Sequence, residues 1–273
     1  MDLYAVVGNP IHHSKSPKIH GEFAVQANEV LEYSAIQAPL DGFSDTAQSF
    51  FKSGGKGLNI TVPFKEQAWA LCTARTERAE LAGAVNTLFL DANNQICGDN
   101  TDGIGLVSDL KRNGIDLKEK KILIVGAGGA VRGVLQPILK EQPAKVFICN
   151  RTESKAAELV TIFSLLGKLE SGPFSSFKDD GIEAFDLIIN GTSASLSGEL
   201  PPISVSVIND KTVSYDMMYG AQETVFSRWA REAGAEKTID GLGMLVEQAA
   251  EAFNIWRGVQ PETSDVMVAL RAL

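Results

Sequence analysis

Cysteine is scarce in this chain: three thiols in 273 residues, Cys72, Cys97 and Cys149, none in C-x-x-C spacing. The scarcity excludes a disulfide framework and a cysteine-based zinc site, and it fits a reducing cytoplasm. Histidine is equally sparse, with only His12, His13 and His20, all early in the chain. No metal site is expected, and a His/Asp proton relay would have to recruit one of these three. Long hydrophobic runs are missing too: nothing approaches the roughly 20 residues of a membrane span. The first residues, Met1-Asp2-Leu3-Tyr4, enter a strand-like run without a basic region or a signal core, so neither membrane insertion nor export is expected. Positive charge is in deficit, with 25 Lys and Arg against 34 Asp and Glu and a net charge of −9. That balance leaves no electrostatic footprint for nucleic acid, and any anion site must be built locally.

What remains is a soluble globular composition, 44% hydrophobic and 22% charged, without internal repeats or low-complexity tracts. The length suits one large or two ordinary domains, and two is the reading adopted. Alternating strand and helix patterns give the class, α/β.

The stretch KILIVGAGGAVRGVLQPILKEQPAKVFICNRTESK at 121–155 organises the rest. An apolar run at 122–125 stops at Gly126-Ala127-Gly128-Gly129-Ala130 and gives way to helix-spaced Val131, Val134, Leu135, Ile138 and Leu139. A second apolar run at 146–149 follows, so the unit reads as a βαβ crossover whose glycine turn brings backbone N–H groups and a helix N-terminus against a pyrophosphate. The third glycine of G-x-G-x-x-G falls on Val131, a departure from the pattern. An NAD site places an acidic residue after the second strand to accept from the ribose 2′-hydroxyl. Here that place holds Asn150-Arg151-Thr152, with Lys155 one turn into the next helix, which suits a 2′-phosphate and favours NADP.

Upstream, short polar clusters follow apolar runs. Ser14 and Ser16 alternate in the loop after a strand at 3–7. Asn59 and Thr61 share one face of a strand at 57–63, opposite Leu58, Ile60 and Val62, and Lys65 stands just beyond it. Asn86 opens a strand at 84–90, the first arm of a hairpin that continues at 96–98, and Asp102 opens a helix running to Arg112. Each has an ordinary reading as well: Ser16 and Asp102 as helix caps, Lys65 as a solvated cation in a first helical turn. Downstream, polar turns after apolar strands bring Thr192, Met217 and Tyr219 to the ligand edge of a parallel sheet, and Gly241 and Gln248 open and occupy a last apolar helix at 244–253.

These motifs together resemble the shikimate dehydrogenase family from end to end. The resemblance rests on GNPIHHSKSP at 8–17, NITVPFK at 59–65, AVNT at 84–87, GDNTDGIG at 98–105, VGAGGA at 125–130, NRT at 150–152, YDMMY at 215–219 and DGLGMLVEQAA at 240–250. It implies two domains: an N-terminal α/β substrate domain, 1–102, completed by C-terminal helices returning at 239–273, and a Rossmann-type NADP-binding domain, 103–238. It implies NADPH-dependent reduction of 3-dehydroshikimate to shikimate, with Lys65 and Asp102 handling the proton. Substrate contacts are implied at Ser14, Ser16, Asn59, Thr61, Lys65, Asn86, Asp102, Tyr219 and Gln248. Cofactor contacts are implied at Gly126, Ala127, Gly128, Gly129, Ala130, Asn150, Arg151, Thr152, Lys155, Thr192, Met217 and Gly241. Lys155 stands where Arg is common, and Gly191 where Ala is usual. A monomer or homodimer is expected. Two alternatives stand beside this reading: a quinate/shikimate dehydrogenase of broader specificity, against which Asn150-Arg151-Thr152 speaks, and a silent NADP-binding regulatory protein, against which Lys65 and Asp102 speak.

Overall fold

Tyr4, Ala5, Val6 and Val7 are all buried, as a strand covered on both faces requires, and they form the middle of β1 (Asp2–Gly8). The computed structural model describes residues 1–178 and 182–272. Its chain divides into two units, Met1–Gly105 with Leu245–Leu273, and Leu106–Met244.

In the first unit β1 leads to α1 (Ser16–Gln26), β2 (Leu31–Gln37), α2 (Phe43–Lys52) and β3 (Gly55–Ile60). Then come α3 (Lys65–Leu71), β4 (Ala74–Arg75), α4 (Glu77–Ala82), β5 (Thr87–Leu90) and β6 (Ile96–Asp99). The sheet order is β2-β1-β3-β5-β6-β4. β1 runs parallel to β2 and β3, whereas β5 is antiparallel to both β3 and β6. Phe43, Ala47 and Phe51 recur at i, i+4, i+8 and seat α2 on a core that includes Val7, Leu58, Ile60, Phe64 and Leu88.

The antiparallel hairpin positions the polar residues. Asn59 pairs with Thr87 and Thr87 with Asp99, so the end of β3, the start of β5 and the end of β6 share one edge of the sheet. Asn86, which precedes β5, and α5 (Asp102–Arg112), which follows β6, therefore meet the Thr61–Lys65 segment there.

The second unit continues with β7 (Lys121–Val125), α6 (Gly129–Lys140), β8 (Lys145–Asn150), α7 (Glu153–Phe163), β9 (Leu169–Pro173) and β10 (Leu187–Asn190). It closes with β11 (Val213–Asp216), α8 (Val225–Glu232) and β12 (Lys237–Asp240). The sheet order is β12-β11-β10-β7-β8-β9, and every neighbouring pair is parallel. Counted from β7, this is the 3-2-1-4-5-6 order of a dinucleotide-binding fold, with its switch point between β7 and β10. The chain ends with α9 (Leu242–Arg257) and α10 (Ser264–Arg271), and the division between units falls within α5 and within α9.

Several expectations change. The strand expected at 57–63 stops at Ile60, and Val62, expected beside Leu58 and Ile60 in the core, is 66% exposed. Ser16 does not cap α1: Lys15 holds the N-cap position, and the Ser16 N–H donates to Ser14 Oγ at 3.3 Å. α9 extends past both ends of the range expected for it. No helix among the described residues is long and apolar enough to cross a membrane.

Candidate active site

In the first unit the site is built on neutral polar groups around one ion pair. Lys65, the first residue of α3, places Nζ 2.5 Å from Asp102 Oδ2, with side chains 30% and 14% exposed. Neither group is sealed from solvent, so a ligand can reach the pair. The other carboxylate oxygen, Oδ1, accepts from Asn86 Nδ2 at 2.8 Å. Asn86 is itself fixed from the opposite side: its Oδ1 accepts from the Thr101 backbone N–H and from Thr87 Oγ1, both at 2.9 Å. Buried amides are satisfied in this way, and the result is an orientation that Asp102 inherits.

Gln248, from α9, closes the cluster. Its Oε1 lies 3.3 Å from both Asn86 Nδ2 and Thr101 Oγ1, while its Nε2 donates to the Leu245 carbonyl. On the other flank Tyr33 donates to Asn59 Oδ1 at 2.7 Å, and Asn59 Nδ2 lies 3.3 Å from Thr87 Oγ1. Burial raises the Tyr33 phenol well above its ordinary pKa, against the opposing effect of the Ser16 hydroxyl, so Tyr33 is a neutral donor. The cluster thus joins Ser16, Asn59, Lys65, Asn86, Asp102 and Gln248, with Ser14 bonded to the Ser16 backbone and Thr61 leaving the end of β3.

His20 sits beneath this cluster, not in it. It is 1% exposed, its ring stacks on Tyr33 at 4.2 Å, and neither nitrogen finds a partner among the described residues. Burial lowers its pKa to about 3 against the opposing effect of neighbouring Asn59, so it is neutral near pH 7 and unsuited to relay a proton.

The second unit presents a cleft of about 530 Å³ at the carboxyl edge of its sheet. Gly126 turns the chain at φ +110°, where a side chain would be strained, and Gly128 precedes α6, whose first-turn N–H groups face out. A Cβ added at Gly128 or Gly129 would meet nothing within 4 Å, so the backbone there lies open to the cleft. Asn150, Arg151, Thr152 and Lys155 line its far side. Arg151 and Lys155 are exposed and have no ion-pair partner among the described residues. Two uncommitted cations beside an open glycine turn and a helix N-terminus fit a dinucleotide carrying an additional phosphate.

Thr192 and Ser193 after β10, with Met218 after β11, complete the lining. Met217 lies below: it is 7% exposed, and a Cβ at Gly241 would come within 2.2 Å of its carbonyl oxygen. Gly241 also donates its N–H to the Met218 carbonyl at 3.1 Å. Tyr219 follows, its pKa raised by burial and by the charge of Asp240.

Sequence reasoning passed over Thr101, Tyr33, Ser193 and Met218. Thr101 left a signal, a polar residue just beyond the buried end of β6, whereas Tyr33, inside β2, reads as an ordinary strand residue. Ser193 and Met218 left only their adjacency to Thr192 and Met217.

Comparison with known proteins identifies the family. The family profile described as "Shikimate dehydrogenase substrate binding domain" matches residues 6–88, "Shikimate / quinate 5-dehydrogenase" matches 109–197, and "Shikimate 5'-dehydrogenase C-terminal domain" matches 241–271. A protein of Marinobacter nauticus named Shikimate dehydrogenase (NADP(+)) is 60% identical over 99% of this chain and 98% of its own. The crystal structure of an Ael1 enzyme from Pseudomonas putida superposes with a TM-score of 0.93 at 44% identity, covering 99% of this chain and 98% of that one. Shikimate 5-dehydrogenase of Thermus thermophilus, solved in complex with NADP(H) and shikimate, gives 0.87 at 30% identity, covering 100% of this chain and 99% of that one. Likeness of this depth extends unbroken through both units, and the chain belongs to the shikimate dehydrogenase family.

Proposed function

We propose that this chain catalyses the reversible, NADPH-dependent reduction of 3-dehydroshikimate to shikimate. The observation that carries the reading is end-to-end identity of 60% with a relative named for this activity and for NADP. On this reading the substrate domain is 1–102, completed by 239–273, and the cofactor domain is 103–238, each boundary a few residues before the division between the two units.

NADPH, when bound, supplies the hydride that reduces the C3 carbonyl. The turn from Gly126 to Ala130 would take its pyrophosphate, and Asn150, Arg151, Thr152 and Lys155 would hold the 2′-phosphate. Thr192, Met217 with Met218 above it, and Gly241 shape the rest of that surface. Negative charge develops on the C3 oxygen as hydride arrives, and the Lys65 ammonium meets it with a proton; in the oxidative direction the same amine takes the proton back. Asp102 holds Nζ in place at 2.5 Å. Ser14, Ser16, Asn59, Thr61, Asn86, Tyr219 and Gln248 bind the substrate's hydroxyls and carboxylate through neutral groups, so Lys65 keeps its charge for the reacting oxygen. Its setting is the reducing cytoplasm, in keeping with three buried free thiols, and it acts as a monomer or homodimer.

The test is spectrophotometric. NADPH absorbance is followed with 3-dehydroshikimate and 3-dehydroquinate, and NADP⁺ reduction with shikimate and quinate, each repeated with NAD(H). Turnover should be confined largely to the shikimate pair with NADP(H). Equal rates with quinate would favour the broader enzyme, and no turnover from folded protein would favour a silent binding protein.

A further inference from the structure

Asn190 and Asp216 end the neighbouring strands β10 and β11 and face each other in register. Both are fully buried. Asp216 Oδ1 accepts two hydrogen bonds, from Asn190 Nδ2 at 3.0 Å and from the Met218 backbone N–H at 3.1 Å. Asn190 uses its own Oδ1 to take the Thr192 N–H at 3.1 Å and the Thr192 hydroxyl at 2.8 Å, and its Nδ2 also reaches Ser195 Oγ at 3.2 Å. A single carboxylate oxygen therefore ties together the two segments that wall one side of the cleft, Thr192-Ser193 and Met218.

A carboxylate is an unfavourable choice for a structural peg. Asp216 Oδ2 meets no donor among the described residues, and no cation stands beside it. A buried carboxyl group with one oxygen unpartnered is destabilising relative to a well-packed apolar side chain, so its presence calls for a task that an apolar residue could not perform. Setting the direction of two separate chain segments is such a task, because hydrogen bonds are directional and apolar packing is not.

We propose that Asp216 is a positioning residue for the dinucleotide: through Asn190 and the Met218 N–H it fixes the spacing of the two cleft walls. The inference rests on the reading that this cleft holds NADPH. Asp216 makes no contact with the cofactor and acts only through the residues it holds.

The experiment measures NADPH dissociation constants by quenching of protein fluorescence, with KM for shikimate, far-UV circular dichroism and thermal midpoint recorded for each variant. Asp216→Ala should weaken NADPH binding by about tenfold or more, the scale of one lost charge-assisted bond, and leave KM for shikimate within about twofold. Asp216→Asn retains an acceptor at Oδ1 and should recover most of that affinity. Asn190→Asp, which sets two carboxylates against each other, should also weaken NADPH binding; adding Asp216→Asn exchanges donor and acceptor and should restore it in part. Wild-type NADPH affinity in folded Asp216→Ala would overturn the proposal. If that variant does not fold, a double variant no tighter than Asn190→Asp alone overturns it. An unaltered chain that folds but binds no NADPH would instead remove the cofactor reading on which the proposal stands.

Discussion

Val131 Cγ2 lies 2.3 Å from the place a Cβ on residue 191 would occupy. Both positions depart from the usual pattern, Val131 filling the third glycine position of the turn and Gly191 replacing the common Ala, and the geometry makes them a single exchange of volume. Gly191→Ala alone should therefore overpack the junction and cost about 1 to 3 kcal/mol of stability, read from urea midpoints. Val131→Ala made together with it removes the clashing methyl groups and should recover most of the loss, with a coupling energy of about 1 kcal/mol or more. If the two single effects simply add, Val131 swings aside at little cost and the exchange has no meaning.

The fold was legible where local pattern and tertiary packing agree. α2 shows its buried face as Phe43, Ala47 and Phe51, and β7 shows a buried apolar run that stops at the glycine turn. β9 was not legible, because Leu169–Pro173 carries Glu, Ser, Gly and Pro without alternation; it is an edge strand that exists through its pairing with β8. β4, two residues long, is likewise a product of its neighbour β6. Val62 misled because the alternation continues past Ile60, where β3 ends: its carbonyl still accepts from the Asn9 N–H, but its side chain is exposed. At the site, the residue types could be read singly but their assembly could not: Asn86 and Gln248 meet across 162 positions of sequence. Only the family resemblance tied them together in advance. Asn190 and Asp216 illustrate the remaining gap, since two polar residues closing apolar strands look like ordinary turn starters until the register brings them face to face.

Arg151 is expected to set the cofactor preference. It is exposed, uncommitted, and placed on the cleft wall after β8, where an acidic residue would serve NAD. Arg151→Ala should lower NADP affinity by about one to two decades, the loss of a charge-assisted bond of about 1.5 to 3 kcal/mol, and leave NAD affinity nearly unchanged. Titration of both dinucleotides by calorimetry separates the cases: equal weakening of the two would make Arg151 a structural residue of the loop.

His20 gives the fold a pH dependence. The unfolded imidazole takes up a proton near pH 6.5, the folded one only near pH 3, so the unfolded state binds more protons between those limits. This contribution is fully present above about pH 6.5 and is lost as the pH falls toward 3, by up to about 1.4 kcal/mol per pH unit. His20→Phe keeps a ring on Tyr33 but carries no titrating group. Urea unfolding at pH 7, 6 and 5 should show a slope against pH shallower by about one proton in the variant. An unchanged slope would mean that His20 is not the group responsible.

Lys65 and Asp102 differ in what their removal should do. Asp102 directs one oxygen to Lys65 Nζ at 2.5 Å and the other to Asn86 at 2.8 Å, a geometry suited to orienting the amine. Lys65 is the group proposed to carry the proton. Lys65→Met keeps the stem and removes only the charged donor, and kcat should fall by about two to four decades with circular dichroism and NADPH affinity intact. Asp102→Asn retains an acceptor toward Lys65 and should lose less activity than Asp102→Ala, which releases both Lys65 and Asn86. The distinction lies in how kcat and KM divide the loss, since a group acting only in the transition state lowers kcat and kcat/KM alike, whereas a uniform binding group raises KM alone. If Lys65→Met held a near-normal kcat and lost only shikimate affinity, Lys65 would be a binding cation and the proton would have to come from water or another group.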